Sequence, residues 1–283
     1  MVGAGRVGTA LAVLFARAGH TIVAVAGRDA TPARAAAWLP GVPVLDPADA
    51  ARLGELVILA VPDDAIGDVV LALAERDALA PGTWIAHTSG AIGLDVLEPA
   101  RAGDARRLAF HPLQTLPDVE RAIASIPGST VAVTADDEEG WALGGSLARD
   151  LGATSFRLAD ERRPLYHAAA VFASNHVVAT SAVAERLFRD AGLPDPLAAM
   201  EPLQAATVEN IARIGPRAAL TGPAVRGDAG TVTRNLEALA ADAPDAVAAY
   251  VAMCRVALDV ATAAGRLAPE GRAAVEEVLA AWS

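Results

Sequence analysis

The chain has 283 residues, 53% of them hydrophobic, with 23 basic against 34 acidic side chains and a formal net charge of -11. That length accommodates one large domain or two modest ones with proper cores. The acidic balance argues against nucleic acid and anionic membranes as partners, because both bind through excess positive charge.

Cys254 is the single cysteine, which excludes an internal disulfide framework and fits a reducing cytoplasm. Every basic residue is arginine, so Schiff-base, P-loop and lysine general-acid chemistries are closed to this chain. The opening residues lack the cationic-then-apolar pattern of a signal peptide. The apolar stretch Leu56 to Pro62 is too short to span a bilayer. A cytoplasmic protein is the expectation.

Short Val/Ile/Leu/Ala-rich runs alternate with amphipathic segments through the first half, the pattern of βαβ units and a parallel sheet. The spacing predicts strands at 1–3, 21–26, 42–45, 55–61, 83–87 and 106–110, with helices at 6–18, 32–39 and 64–76 between them. A further strand–helix–strand is expected at 129–134, 137–151 and 153–158. After Asp160 the pattern becomes purely helical over 161–191, 195–214, 229–241 and 244–264, with breaks at Gly192, Pro194, Gly215, Pro216 and Pro244. The fold class expected is α/β, a doubly wound, mostly parallel Rossmann sheet over 1–160, followed by an all-α domain over 161–283 that carries substrate contacts and dimerisation.

Gly3-Ala4-Gly5-Arg6-Val7-Gly8 is a GxGxxG at the turn from a first strand into a helix. The first glycine permits the tight turn, the second lets backbone approach a pyrophosphate, and the third allows close helix–strand packing. Only Met1 and Val2 precede Gly3, fewer than the five or six residues of an ordinary strand. The sequence therefore points to a start upstream of Met1, the alternative being a clipped strand.

The second strand ends at Gly27-Arg28, where an NAD site usually places an acidic residue for the ribose 2′-hydroxyl. A guanidinium there suits a 2′-phosphate, so NADP(H) is preferred to NAD(H). Asp29 and Thr31 read as helix caps, with Pro32 in the first turn. Val61 and Pro62, at the end of the fourth strand, are placed beside the nicotinamide, and Asp63 or Asp64 caps the next helix.

The fifth strand ends in His87-Thr88-Ser89-Gly90-Ala91 and the sixth in Phe110-His111-Pro112-Leu113-Gln114-Thr115, both on the carboxyl edge of the sheet. Ser89 can donate or accept a hydrogen bond, and His111 can exchange a proton near neutral pH. These two are candidate catalytic residues, while His87 reads as packing within the strand end. Tyr166, His167, Asn175 and His176 interrupt an alanine-rich helix, and Asn175 is a third candidate catalytic group able to bond a substrate oxygen. Gln114 and Arg226 complete the candidate substrate contacts, Arg226 lying in a turn-rich segment that Asp228 caps into a helix. No metal site is expected.

GAGRVG, VILAVPDDAI, HTSGAIG, FHPLQT, AAVFASNHVVA and LTGPAVRGDAGTV together resemble one bacterial family that joins a Rossmann-like domain to a helical domain of unknown function, number 2520 in its series. The resemblance covers nearly the whole chain and implies an NADP-binding oxidoreductase, dimeric through a helical domain like the C-terminal domain of 6-phosphogluconate dehydrogenase. More distantly the chain is similar to β-hydroxyacid dehydrogenases, ketopantoate reductase, pyrroline-carboxylate reductase and prephenate dehydrogenase. The first two place a catalytic lysine one turn before an asparagine; here Asn175 is present but the lysine position is Val171, which argues against those activities. Prephenate dehydrogenase uses a His-Pro segment and an upstream serine, which His111-Pro112 and Ser89 match in kind.

The expected function is hydride transfer between NADP(H) and a small carbonyl or alcohol compound in a cleft between the domains. An NADP(H) sensor without turnover and a deazaflavin-linked NADP reductase are the alternatives.

Overall fold

The computed structural model describes residues 1–282, which form two compact units, one ending at Asn175 and the other starting at His176. The first unit is built on a sheet whose regular strands are β1 (Leu56–Leu59), β2 (Trp84–His87), β3 (Arg106–Leu113), β4 (Thr130–Ala135) and β5 (Thr154–Arg157), adjacent in that order. β1, β2 and β3 run parallel, β4 runs antiparallel to β3, and β5 is parallel to β4.

Beyond β1 the sheet continues as single parallel bridges, Val2 to both Leu59 and Ala26, and Val25 to Val44. Reading across gives segments three, two, one, four, five, six, the order of a doubly wound dinucleotide fold. The strands expected at 1–3, 21–26 and 42–45 are thus present in place but reduced to bridges. The central lane holds only Met1 and Val2, so its neighbours have little backbone to pair with. Below Met1 this lane opens into a groove of about 450 Å3 between Thr21–Ala24 and Glu55–Ile58.

Helices cover both faces. α1 (Arg6–Arg17), α2 (Thr31–Trp38), α3 (Pro47–Arg52), α4 (Ile66–Glu75), α5 (Val119–Ser125) and α6 (Glu138–Asp150) alternate with the strands. Ile66, Val70 and Leu73 of α4 bury one face of the sheet against Val57, Leu59 and Ile85. Leu11 and Leu14 of α1, Ala122 of α5 and Leu147 of α6 bury the other against Ile58, Leu108 and Val131. Each fully buried aliphatic side chain contributes about 1.5–3 kcal/mol.

α7 (Arg163–Ala173) closes the first unit, so this unit ends after the composition shift at Asp160. The single helix expected over 161–191 is broken at Ser174, whose φ of -130° leaves the helical region, and α8 (Asn175–Asp190) restarts after it. Serine and asparagine bond neighbouring backbone readily and favour helix ends over interiors.

The second unit continues with α9 (Pro196–Ile214), α10 (Pro216–Ala219), α11 (Ala229–Asp242), α12 (Val247–Ala263) and α13 (Pro269–Ala280). Its core joins Val232 and Leu236 of α11, Val251, Cys254 and Leu258 of α12, and Val275 and Leu279 of α13. α13 lies beyond the predicted helices. The segment Pro244–Ala263 is long and apolar enough to cross a membrane by length and composition. Its buried residues Val251, Cys254, Leu258 and Ala261 follow helical spacing along one face, as in a core helix.

Candidate active site

The glycine turn obeys hard sterics. Gly3 has φ +89°, and a Cβ there would fall 2.6 Å from the Ala60 carbonyl carbon, so the turn and the end of β1 need a glycine between them. A Cβ on Gly8 would lie 2.3 Å from the Gly3 oxygen, which lets α1 start directly on the turn. A Cβ on Gly5 would meet nothing nearer than the Gly3 oxygen at 3.9 Å. Gly5 therefore keeps one side of the turn free of side-chain atoms, where a pyrophosphate can approach the backbone. Gly5 is also the N-cap of α1 and offers no side-chain acceptor, leaving first-turn N–H groups for an anion.

Arg6 is exposed and donates from Nη1 to the Pro117 oxygen at 3.1 Å, while Val7 packs against the α1 face of the core. These residues fit a dinucleotide by shape and by donor supply.

At the end of the second segment, a Cβ on Gly27 would strike Thr31 Oγ1 at 2.3 Å, so the chain turns tightly into α2. Arg28 is exposed there. Arg34, absent from the sequence reading, donates from Nη1 to the Ala4 oxygen at 2.8 Å and brings a second guanidinium against the glycine turn. The hint available in the sequence was its place one turn along a helix that starts beside Arg28.

A chain of contacts along the carboxyl edge connects the glycine turn to the candidate reactive groups. Gly3 abuts Ala60 and Val61; Val61 is half-buried against the core and Pro62 is exposed. Asp63 then accepts a hydrogen bond from Ser89 Oγ at 2.7 Å. The same Ser89 oxygen accepts from the Ala91 and Ile92 N–H groups at 3.2 and 3.1 Å. Ser89 is 4% exposed, and its hydroxyl is spent on holding the loop after β2. In this structure it positions that loop.

His87 is fully buried. Its Nδ1 accepts from the Ser89 N–H at 3.2 Å and its Nε2 lies 3.2 Å from the Gly93 oxygen, an arrangement suited to neutral imidazole. Burial, followed by the Arg163 charge, pushes it down to about 3. As the sequence reading held, it packs within the strand end.

Arg163 is the least expected member. It is wholly buried at the start of α7 and donates to the Ile92 carbonyl at 2.5 Å, to Thr134 Oγ1 at 2.9 Å and to the backbone carbonyl of Ser89. Asp160 accepts the Leu94 N–H at 3.1 Å on both carboxylate oxygens. Together these side chains pin the 89–94 loop to the turn that opens α7. Burial patterns could not have found Arg163, because a run of charges ahead of a helix ordinarily reads as solvated surface.

His111 sits inside β3, which runs on to Leu113 through Pro112 rather than ending at residue 110. The proline is tolerated because β2 pairs with β3 only as far as Ala109, and Pro112 stands opposite Val131 on the other side. His111 Nδ1 lies 2.7 Å from the Tyr166 hydroxyl. A Cβ on Gly90 would lie 2.9 Å from His111 Nε2 and equally from His167 Nδ1, so glycine at 90 is what lets both rings approach that loop. His167 Nδ1 is buried without a protein partner. Burial, then the Arg163 and His167 charges, pushes His111 down to about 4. The group is therefore a neutral imidazole at physiological pH.

The other sequence-predicted contacts are engaged locally or are exposed. Gln114 spends its amide locally, donating to the Ser125 oxygen at 3.3 Å and accepting from the Thr115 N–H at 2.8 Å. Asn175 is exposed at the start of α8, and Arg226 is exposed in a 3-10 turn of the second unit. The groove below Met1 lies at the amino-terminal edge of the sheet, and neither the glycines of the turn nor His111 line it. Among the described residues no cluster of three or more His, Cys, Asp or Glu side chains is arranged to hold a metal ion.

Residues 1–112 match the Rossmann-like domain, and residues 129–257 match a domain of unknown function (DUF2520). No curated protein matches the chain. Among solved structures the chain is similar to a candidate NADP oxidoreductase from Bacteroides fragilis, at 26% identity and a TM-score of 0.75 over 91% of this chain and 96% of that one. A protein from Thermotoga maritima matches at 23% identity and a TM-score of 0.70, over 94% and 98% of the two chains. An imine reductase from Pseudomonas sp. matches at 21% identity and a TM-score of 0.66, over 98% and 97%. The last two likenesses concern the fold.

Proposed function

We propose that this chain, which joins a Rossmann-like domain to a DUF2520 domain, is an NADP(H)-dependent oxidoreductase acting on a small carbonyl or alcohol compound in the cytoplasm. The observation that carries the reading is the continuous series of contacts from Gly3 through Val61, Asp63 and Ser89 to Gly90 and His111, all along one edge of the sheet. It puts an anion-accepting turn and a neutral buried imidazole within one local framework, at the edge where doubly wound sheets bind ligands.

In this reading Gly3, Gly5, Arg6, Val7 and Gly8 hold the pyrophosphate, and Gly27 with Arg28 and Arg34 faces the 2′-phosphate. Val61 and Pro62 line the nicotinamide side. The nicotinamide supplies or accepts the hydride. His111 holds the substrate oxygen and exchanges its proton, and Ser89 keeps the loop under it in shape. The Bacteroides fragilis relative, named for NADP chemistry, supports the choice of cofactor.

The test is a screen of small aldehydes and ketones for NADPH oxidation, followed by His111→Ala. The variant is expected to lose at least about a hundredfold in turnover, as for a removed acid–base group, and to keep its affinity for NADPH. Turnover unaffected by His111→Ala, or cofactor binding lost with it, would place this residue elsewhere in the account.

The chain is also proposed to work as a homodimer through α8 and α9. No residue of α8 is buried within its own chain, and α9 buries only Pro196 and Met200. Val178, Leu203 and Val208 stand 68%, 59% and 62% exposed along them. Helices this apolar on their outer faces bury those faces against something, and a second copy presents the same faces by symmetry.

A further inference from the structure

Tyr166 and His167 are consecutive residues of α7, yet both reach the β3 histidine and the loop beside it. The Tyr166 ring meets His111 edge-on, with centroids 5.5 Å apart and planes at 86°, and Phe156 packs on its other side at 5.8 Å. The hydroxyl is thereby fixed 2.7 Å from His111 Nδ1. Burial pushes this phenol up to about 12, so it carries its hydrogen at any ordinary pH and is available as a donor. A neutral imidazole that accepts at Nδ1 must carry its own hydrogen on Nε2.

That Nε2 is the nitrogen turned toward Gly90, and His167 Nδ1 meets the same point from α7 at the same 2.9 Å distance. A buried imidazole nitrogen without a partner forfeits the hydrogen bond it would make with water. His167 Nδ1 is in that state, and the Tyr166 bond of His111 is made through Nδ1 and not through Nε2.

We propose that Tyr166 holds His111 in its Nε2–H form, and that His111 Nε2 and His167 Nδ1 together grip one carbonyl or hydroxyl oxygen of the substrate. Tyr166 is a positioning residue, acting through His111; His167 is a binding residue. Two ring N–H groups flanking the same glycine loop suit an oxygen that accepts two hydrogen bonds, and they do not suit an iminium nitrogen, which has no lone pair to offer.

The arrangement also gives the proton a route. As an oxygen acquiring alkoxide character takes the Nε2 hydrogen, an O–H bond forms and the Nε2–H bond breaks. Nδ1 takes the Tyr166 hydrogen in turn, and the phenolate is stabilised by the nearby Arg163 charge until solvent returns a proton. Running backward, the same series removes a hydroxyl proton.

The inference rests on the oxidoreductase reading for what the oxygen belongs to, but the tautomer does not. Nitrogen NMR of the full chain labelled with 15N-histidine reads it without cofactor or turnover. The expected result is His111 in the Nε2–H form in the wild type, and a mixture of both tautomers in Tyr166→Phe. An Nδ1–H form in the wild type, or an Nε2–H form unchanged in Tyr166→Phe, overturns the positioning role.

For the grip, isobutyramide serves as a carbonyl probe, added with and without NADPH. Joint shifts of His111 Nε2 and His167 Nδ1, with the His111 shift weakened in His167→Ala, support the paired contact. A shift at one nitrogen only, or at neither, overturns it. NADPH that fails to bind at all would strike the oxidoreductase reading instead, and leaves the tautomer result standing.

Discussion

The residues that matter most to this site are charged or polar groups taken out of water, and their cost is measurable. His87 and His111 are held neutral in the fold, near 3 and 4, whereas in the unfolded chain each titrates near 6.5. Between about pH 6.5 and pH 4 the unfolded state therefore binds protons that the folded state refuses, and stability falls with pH by about 1.4 kcal/mol per unit per histidine. Urea unfolding is expected to show its midpoint dropping steadily over that window, with roughly half the slope removed in His111→Gln. A midpoint independent of pH between 6.5 and 4.5 would contradict the buried neutral imidazoles.

Gly90 gives the second prediction at this scale. An alanine there would put a methyl group 2.9 Å from both ring nitrogens, inside hydrogen-bond range but with nothing to bond. One ring must move, at a cost of about 1–3 kcal/mol typical of overpacking. Gly90→Ala is expected to fold, to lose that much stability and to lose turnover with cofactor binding retained. Full activity in this variant would mean that the two imidazoles do not meet at that loop.

Among the elements, those legible in the sequence were the ones whose signal is periodic or chemically singular. The GxGxxG turn, α1, the buried runs of β1 and β2, and the helices α9, α11 and α12 announce themselves by spacing, whereas α13 does not. What escaped was decided by partners distant in the chain. β3 passes through His111 and Pro112 because β4 pairs with it on one side while β2 has already ended on the other. The break at Ser174 and the reduction of the second and third strands to bridges depend on neighbours that no local window contains.

α8 and α9 pose the opposite case, since their apolar residues gave the helices away but not what covers them. The dimer reading is tested by sedimentation, in which the wild type is expected at twice the 28.7 kDa chain mass. Leu203→Glu combined with Val208→Glu is expected to bring it to the chain mass. A wild type that already sediments as a single chain at micromolar concentration would contradict it.

For the molecule as a whole, the presence of a Rossmann-like part and a helical part was readable from the composition shift, while the first compact unit runs on through α7 to Asn175. The tight turn into α1 was readable from its glycines. The framework that links this turn to His111 was not, because Arg163, Asp160 and Tyr166 do their work as buried or half-buried polar groups, and Asp63 as an exposed one, all placed by tertiary contacts. Arg163, the largest fully buried side chain in the fold, looks in the sequence like one more charge in a polar run. Sequence patterns locate buried apolar faces well; they carry little about which polar groups a fold will choose to bury.

Calorimetric titration of the intact chain with NADPH and with NADH reaches the foundation directly. The account predicts saturable heat with NADPH, at least tenfold weaker affinity for NADH, and loss of that difference in Arg28→Ala as the 2′-phosphate loses its guanidinium. A folded chain that takes up neither dinucleotide, or prefers NADH, would contradict it.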